Sequence, residues 1–141
     1  MSTLTLHFDV DGSDFTRAGE ASGEVKRVLK ELGLNPEIVR NVSIAMYEGE
    51  INMFLHAGGG QIDVEISPDM IQIVLADTGP GIEDVPLAMM EGYSTASDHI
   101  RALGFGAGMG LPNIKKYTDD MIIETQIGKG TTIRLKIFTA S

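Results

Sequence analysis

The run from Met70 to Asp77 constrains the fold most, because Ile73-Val74-Leu75 at its centre is apolar on both sides. A strand with no polar face belongs in the middle of a sheet rather than at its edge. Residues 61–67 precede it, with Ile62, Val64 and Ile66 on one face, and Ser67-Pro68-Asp69 supplies the turn between the two strands. Near the N-terminus Leu4, Leu6, Phe8 and Val10 alternate with Thr5, His7 and Asp9, and Asp11-Gly12 ends that strand. A closing hairpin is predicted from Ile122–Ile127, a Gly128-Lys129-Gly130 turn, and Thr131–Phe138.

Between the first two strands the period changes from two to 3.6. Ser13 is a candidate cap for a helix carrying Phe15, Ala18, Ala21, Val25, Val28, Leu29 and Leu32, with Gly33 as its stop. Gly19 and Gly23 lie inside that helix, where each costs about 1 kcal/mol against alanine, and they leave room for a close backbone approach. Asn35-Pro36 marks a second helix start, followed by Ile38, Val39, Val42, Ala45, Met46 and Met53 and ended by Gly58-Gly59-Gly60. A short helix is predicted over Asp84–Met90, inside a long irregular stretch from Thr78 to Gly110, and another from Leu111 to Tyr117. This order predicts an α/β two-layer sandwich with helices on one face of a mixed or antiparallel sheet, formed as one domain over residues 1–141.

Net charge is −9, which argues against general affinity for nucleic acid or anionic membranes. It leaves nucleotide binding open, since backbone N–H groups and a metal can neutralise phosphates. No apolar run approaches the roughly 20 residues that span a bilayer. The N-terminus lacks the features of a signal peptide and there is no cysteine, so a soluble cytoplasmic protein is expected.

Three familiar nucleotide signatures are missing. The only Gly-Lys, at 128–129, is followed by Gly130 rather than Ser or Thr, no Gly-x-Gly-x-x-Gly occurs, and neither His-Arg-Asp nor Asp-Phe-Gly is found. Three other segments hold candidate chemistry. Glu48 and Asn52 share one helical face and suit a base beside a hard cation, or else form a solvated polar stripe; Glu50 points about 200° away from Glu48. Asp77-Thr78-Gly79-Pro80-Gly81 follows an apolar strand, where a carboxylate can accept from an exocyclic amine, or where the segment is simply a Pro-Gly turn. Gly104, Gly106, Gly108 and Gly110 alternate into a helix start, a phosphate cradle by one reading and a flexible linker by the other.

Taken together, Glu48-x-x-x-Asn52-x-x-x-His56, Asp77-x-Gly79-x-Gly81, Gly106-x-Gly108-x-Gly110 and Gly128-x-Gly130-Thr131 resemble the Bergerat-fold (histidine-kinase-like) ATPases. Within them, Glu91-Gly-Tyr-Ser-Thr and the Gly-Leu-Pro-Asn-Ile-Lys-Lys at 110–116 are similar to the anti-sigma-factor serine/threonine kinases, most of all the stressosome switch kinases. The resemblance implies ATP and Mg²⁺ as cofactors and helices over a mixed sheet. It implies Glu48 as general base, Asn52 as the Mg²⁺ ligand, and Asp77 on the adenine amine, supported by Thr131. Gly79 and Gly81 would form the adenine wall, and Ser94, Thr95, Gly106, Gly108 and Gly110 would meet the nucleotide under a lid over about 92–108. Met53 departs from the pattern, which commonly has alanine there, and Arg101 is the candidate phosphate-binding cation in place of a basic residue ahead of the last Gly-x-Gly. The eight methionines, Met89-Met90 among them, are expected to be core filler, and His56 a packed or capping residue.

The function the resemblance implies is phosphorylation in trans of a Ser or Thr on a STAS-type (anti-sigma-antagonist) partner. A sigma factor, a downstream phosphatase and a homodimeric second copy are further expected partners. The alternatives are a nucleotide-switched regulator that sequesters its partner, and an ATPase module that drives a conformational change.

Overall fold

A computed structural model of the chain describes residues 3–13, 15–54, 58–82, 85, 89 and 110–139. Five strands form one sheet: β1 (Leu4–Asp11), β2 (Gly59–Ile66), β3 (Met70–Ala76), β4 (Asp120–Gln126) and β5 (Gly130–Phe138), in the spatial order β1-β2-β3-β5-β4. All four described pairings are antiparallel, so of the two sheet types open to the sequence the antiparallel one is adopted here. The run Met70–Ala76 is the middle strand of the five, as its two-sided apolar character requires.

Register puts Phe8, Ile62, Leu75, Ile133 and Ile123 in one row across the sheet, and Leu6, Val64, Ile73, Leu135 and Met121 in the next. These rows face the helices α1 (Glu20–Glu31), α2 (Pro36–Asn52) and α3 (Gly110–Lys116). Val25 and Leu29 from α1, Val42, Ala45 and Met46 from α2, and Ile114 from α3 are fully buried against them. Each of these side chains except the Ala45 methyl contributes about 1.5–3 kcal/mol by leaving water. The opposite face carries His7, Asp63, Gln72, Arg134 and Glu124, which explains the alternation in the outer strands.

The start of α1 departs from the sequence expectation. The chain makes a 3-10 turn at Phe15–Arg17, and the α-helix begins only at Glu20. Gly19 sits in the left-handed region at φ 99°, so a helix running through it from Ser13 is interrupted there. Ser13 spends its hydroxyl and amide on Asp11, not on a helix start. What comes close to Gly19 is the Tyr47 ring, 3.2 Å from where a Cβ would stand, and among the described residues nothing outside α1 itself lies within 4 Å of such an atom at Gly23. At the other end Gly33, at φ 75°, donates to the Lys30 carbonyl and stops the helix as expected.

The second helix starts where its signals put it but ends at Asn52, ahead of the expected Gly58-Gly59-Gly60 stop, because Gly59 and Gly60 pair with β1 as the first residues of β2. Asn35 accepts from the Glu37 amide at 2.8 Å and Pro36 occupies the first turn. Within the 84–90 candidate helix only Val85 and Met89 are described, and the Met89 amide donates to the Val85 carbonyl at helical spacing.

Candidate functional site

Three consecutive residues of α2 touch three different elements. Glu48 reaches towards α3, where Asn113 Nδ2 lies 3.5 Å from its Oε1, the outer limit of a hydrogen bond. Gly49 faces the sheet: a Cβ there would stand 2.7 Å from Leu75 Cδ2, so the absence of a side chain lets α2 lie on β3. Glu50 faces α1 and is 2% exposed. Its Oε2 accepts from the amides of Gly19 and Ala21 at 3.0 and 3.2 Å, and its Oε1 from that of Ser22 at 3.0 Å. Those are donors that the first turn of α1 leaves without intrahelical partners, and no side chain of its own caps it. Glu50 therefore caps one helix from another.

Glu48 differs in each respect. It is half-buried, and burial raises its carboxyl above the ordinary value, an effect the Asn113 amide opposes. Asn52, four residues on, shares its face and is also half-buried. A raised carboxyl near an amide oxygen on one helix face can take up a proton and can contribute to a hard-cation site.

The second half of the site lies where β3 ends. Asp77 Oδ1 accepts from the Gly79 amide at 3.0 Å and from the Thr131 amide at 3.1 Å. Both bonds use the same oxygen, which leaves Oδ2 for another donor. The Asp77 amide in turn donates to the Thr131 carbonyl at 2.9 Å, so Asp77 extends the β3–β5 ladder by one residue. Gly130 makes this possible: at φ 133° it brings β5 so close that a Cβ would stand 2.1 Å from the Asp77 carbonyl oxygen. Gly81, at φ 84°, is likewise pressed against the Gln126 carbonyl at 2.7 Å. Gly81 and Gly130, one from each Gly-x-Gly segment, thus allow the two loops to stack.

The structure brings Asp77, Gly79 and Thr131 into direct contact, places Gly81 beside them against β4, and sets Glu48 and Asn52 together at the end of α2. Gly110 is the first residue of α3. Ser94, Thr95, Gly106, Gly108, Arg101, His56 and the rest of the 92–108 segment lie outside the described residues. Two participants were not visible in the sequence reading. Thr125 on β4 is hydrogen-bonded to Thr131 through their hydroxyls at 2.9 Å and accepts from the Ile82 amide at 2.9 Å, joining the Pro-Gly loop to the hairpin. Its signal is the inward alternation after Met121 and Ile123, which the cross-strand pairing with Thr131 completes. The other is Glu50, whose helical position placed it away from Glu48 and gave no hint of its cap.

Residues 37–141 match the family model described as histidine kinase-, DNA gyrase B-, and HSP90-like ATPase. The chain is 34% identical to the serine/threonine-protein kinase RsbT of Bacillus subtilis (strain 168), over 77% of this chain and 79% of that protein. It is 32% identical to the anti-sigma F factor of Clostridium botulinum (strain Eklund 17B / Type B), over 73% and 74%. Among solved structures it resembles the RsbU and RsbW domains of a Mycobacterium tuberculosis protein, with a TM-score of 0.62 at 16% identity, covering 98% of this chain and only 33% of that longer one. It also resembles the SiaB-SiaC complex from Pseudomonas aeruginosa, with a TM-score of 0.65 at 11% identity, over 94% of this chain and 88% of that one. At these identities the structures speak to the fold alone. The five-stranded sheet, the three α-helices among the described residues and the match across residues 37–141 lead to one conclusion: this chain belongs to the histidine kinase-, DNA gyrase B- and HSP90-like ATPase family.

Proposed function

We propose that this chain is an ATP-dependent serine/threonine kinase that phosphorylates a Ser or Thr on a partner protein of the STAS (anti-sigma-antagonist) class. The observation that carries the reading is Glu48, a half-buried carboxylate whose pKa is raised by burial, on the same helix face as Asn52. The similarity to a serine/threonine-protein kinase and to anti-sigma F factors supports it. No described helix is long and apolar enough to cross a membrane.

The described residues fit a nucleotide. Asp77 Oδ2 is available to an exocyclic amine, while Oδ1 is fixed by two amides and cannot rotate freely. Gly79 donates to that fixed oxygen, and Gly81 packs against the Gln126 carbonyl, so the Pro-Gly loop is held beside the carboxylate as a wall for a flat base. Asn52 offers an amide oxygen suited to Mg²⁺, and Glu48 stands one turn away as the group that takes the acceptor hydroxyl's proton. When bound, Mg²⁺-ATP supplies the phosphoryl group and neutralises the charge that develops on transfer. The chain's own contribution is positioning: Asp77 sets the base, Asn52 the metal, and Glu48 the acceptor oxygen. Ser94, Thr95, Gly106, Gly108 and Gly110 are assigned to the phosphate side of the site.

Incubating the chain with Mg²⁺-ATP and a STAS-domain protein from the same organism, then analysing that protein by mass spectrometry, tests the proposal. One phosphoserine or phosphothreonine is expected on the partner. Stable complex formation without transferred phosphate would favour the second reading, a nucleotide-switched sequestering regulator, which the anti-sigma F factor relatives support.

A further inference from the structure

We infer that Glu50 is a positioning residue for the nucleotide site: by capping α1 from within α2 it fixes the rotation at which α2 presents Glu48 and Asn52. The inference rests on the nucleotide reading above. Three observations carry it. Glu50 is 2% exposed, and its carboxylate accepts three amides from the start of α1. A carboxylate bound at both oxygens to a backbone turn has one orientation, unlike an apolar side chain that can slide. Its neighbours in sequence, Gly49 and Glu48, contact β3 and α3, so this turn of α2 is held from three sides at successive 100° steps. Of the three holds, the one from Glu48 is the weakest, at 3.5 Å to Asn113, and the one from Gly49 is non-directional packing. The directional one is Glu50. Asn52 lies about 200° around the helix from Glu50, so rotation of this turn carries the Glu48–Asn52 face with it.

A cap that only supported α1 would affect stability and nothing else. A positioning residue also changes the metal-dependent part of nucleotide affinity, because Asp77, the residue assigned to the adenine, is held at the end of β3 by Thr131 and does not turn with α2. Calorimetry with a non-hydrolysable ATP analogue, with Mg²⁺ and again with EDTA, separates the two. The comparison uses wild type, Glu50→Gln, and Ile137→Ala, a truncation in the β5 core that lowers stability at a residue that takes no part in the α1 cap. In Glu50→Gln, affinity with Mg²⁺ should fall roughly 10-fold and affinity in EDTA by less than about twofold, as when a group supporting a metal ligand is lost. Amide exchange at Gly19, Ala21 and Ser22 should accelerate in the nucleotide-free variant. If Glu50→Gln does not fold, Glu50→Asp, one methylene short of the three amides, serves in the same comparison.

Equal losses with and without Mg²⁺, or the same Mg²⁺-specific loss in Ile137→Ala, would overturn the assignment. Unchanged affinity in Glu50→Gln would overturn it too. Wild-type protein that shows no Mg²⁺-dependent affinity at all would instead sink the nucleotide reading, before any variant is compared, and the role of Glu50 with it.

Discussion

Glu48 and Glu50 stand two residues apart on one helix, and the two sides of that helix treat a carboxylate in opposite ways. On the α1 side Glu50 is enclosed and bound by three amides at 3.0–3.2 Å. On the α3 side Glu48 is half-buried with one long contact, and burial pushes its carboxyl up. The first arrangement holds a charge still; the second leaves a carboxylate under-solvated and ready to accept a proton. One side of α2 is satisfied within the fold, and the other is the side to which we assign the chemistry.

The comparison breaks most decisively at Glu48. Glu48→Gln should lower phosphoryl transfer to the partner by ~10²–10⁴-fold, the range for losing a general base, while nucleotide affinity stays near wild type. Stability should move the other way. A carboxyl raised in the folded state makes a contribution that is present below its unfolded pKa and lost as pH rises through its folded pKa. Ionised Glu48 therefore strains the fold at neutral pH, and the neutral glutamine should melt at the same temperature or higher. Initial rates and thermal melts on one preparation check both; a variant that is active and destabilised would reverse the assignment.

Glu50→Ala should show the opposite pattern in stability. Removing the carboxylate leaves three N–H groups unpaired in a buried corner, at a cost of roughly 2–4 kcal/mol. Urea unfolding should give a lower midpoint with an unchanged slope. A loss no larger than that of an exposed helix substitution would mean that the cap does not hold α1.

Asp77 lies between the two extremes, with one oxygen fixed and one available. Asp77→Asn should weaken nucleotide binding by ~1.5–3 kcal/mol, or roughly 10- to 150-fold. Calorimetry with ADP would measure it, and unchanged affinity would put the base elsewhere.

The smallest effect is expected on the face of the sheet away from the helices. His7 bonds Asp63 at 2.6 Å and Asp9 at 3.1 Å, and these hydrogen bonds, that to Asp63 foremost, hold its pKa above the ordinary 6.5. The imidazolium's contribution is complete below that ordinary value and lost as pH rises through the raised one. Because the group is exposed, the change should be slight. His7→Gln should flatten the stability profile in that window and leave nucleotide binding unchanged.

Much of the fold was legible because its signals are local. Asn35-Pro36 caps α2 with bonds spanning two residues, and the Gly128–Gly130 turn and the alternation of β5 are read from neighbouring positions. The start of α1 was misread for a physical reason. Helical periodicity continues through Phe15 and Ala18, but Gly19 takes a left-handed conformation and the helix that follows is capped from 28–31 residues away. Thr125 could be linked to Thr131 only once their strands were paired in register.

The sequence by itself determined which residue types were available and in what order: a two-sided apolar strand, a glutamate and an asparagine one helical turn apart, and glycines flanking an aspartate. Tertiary structure decided what each of them would do. The identical side chains of Glu48 and Glu50 acquired different roles because one meets the open start of a neighbouring helix and the other meets a single distant amide. Asp77 gained its second bond from Thr131, 54 residues away, through an approach that only Gly130 permits. Residue chemistry is local, whereas burial and hydrogen-bond partners, which set how a carboxylate behaves, are properties of the packed chain.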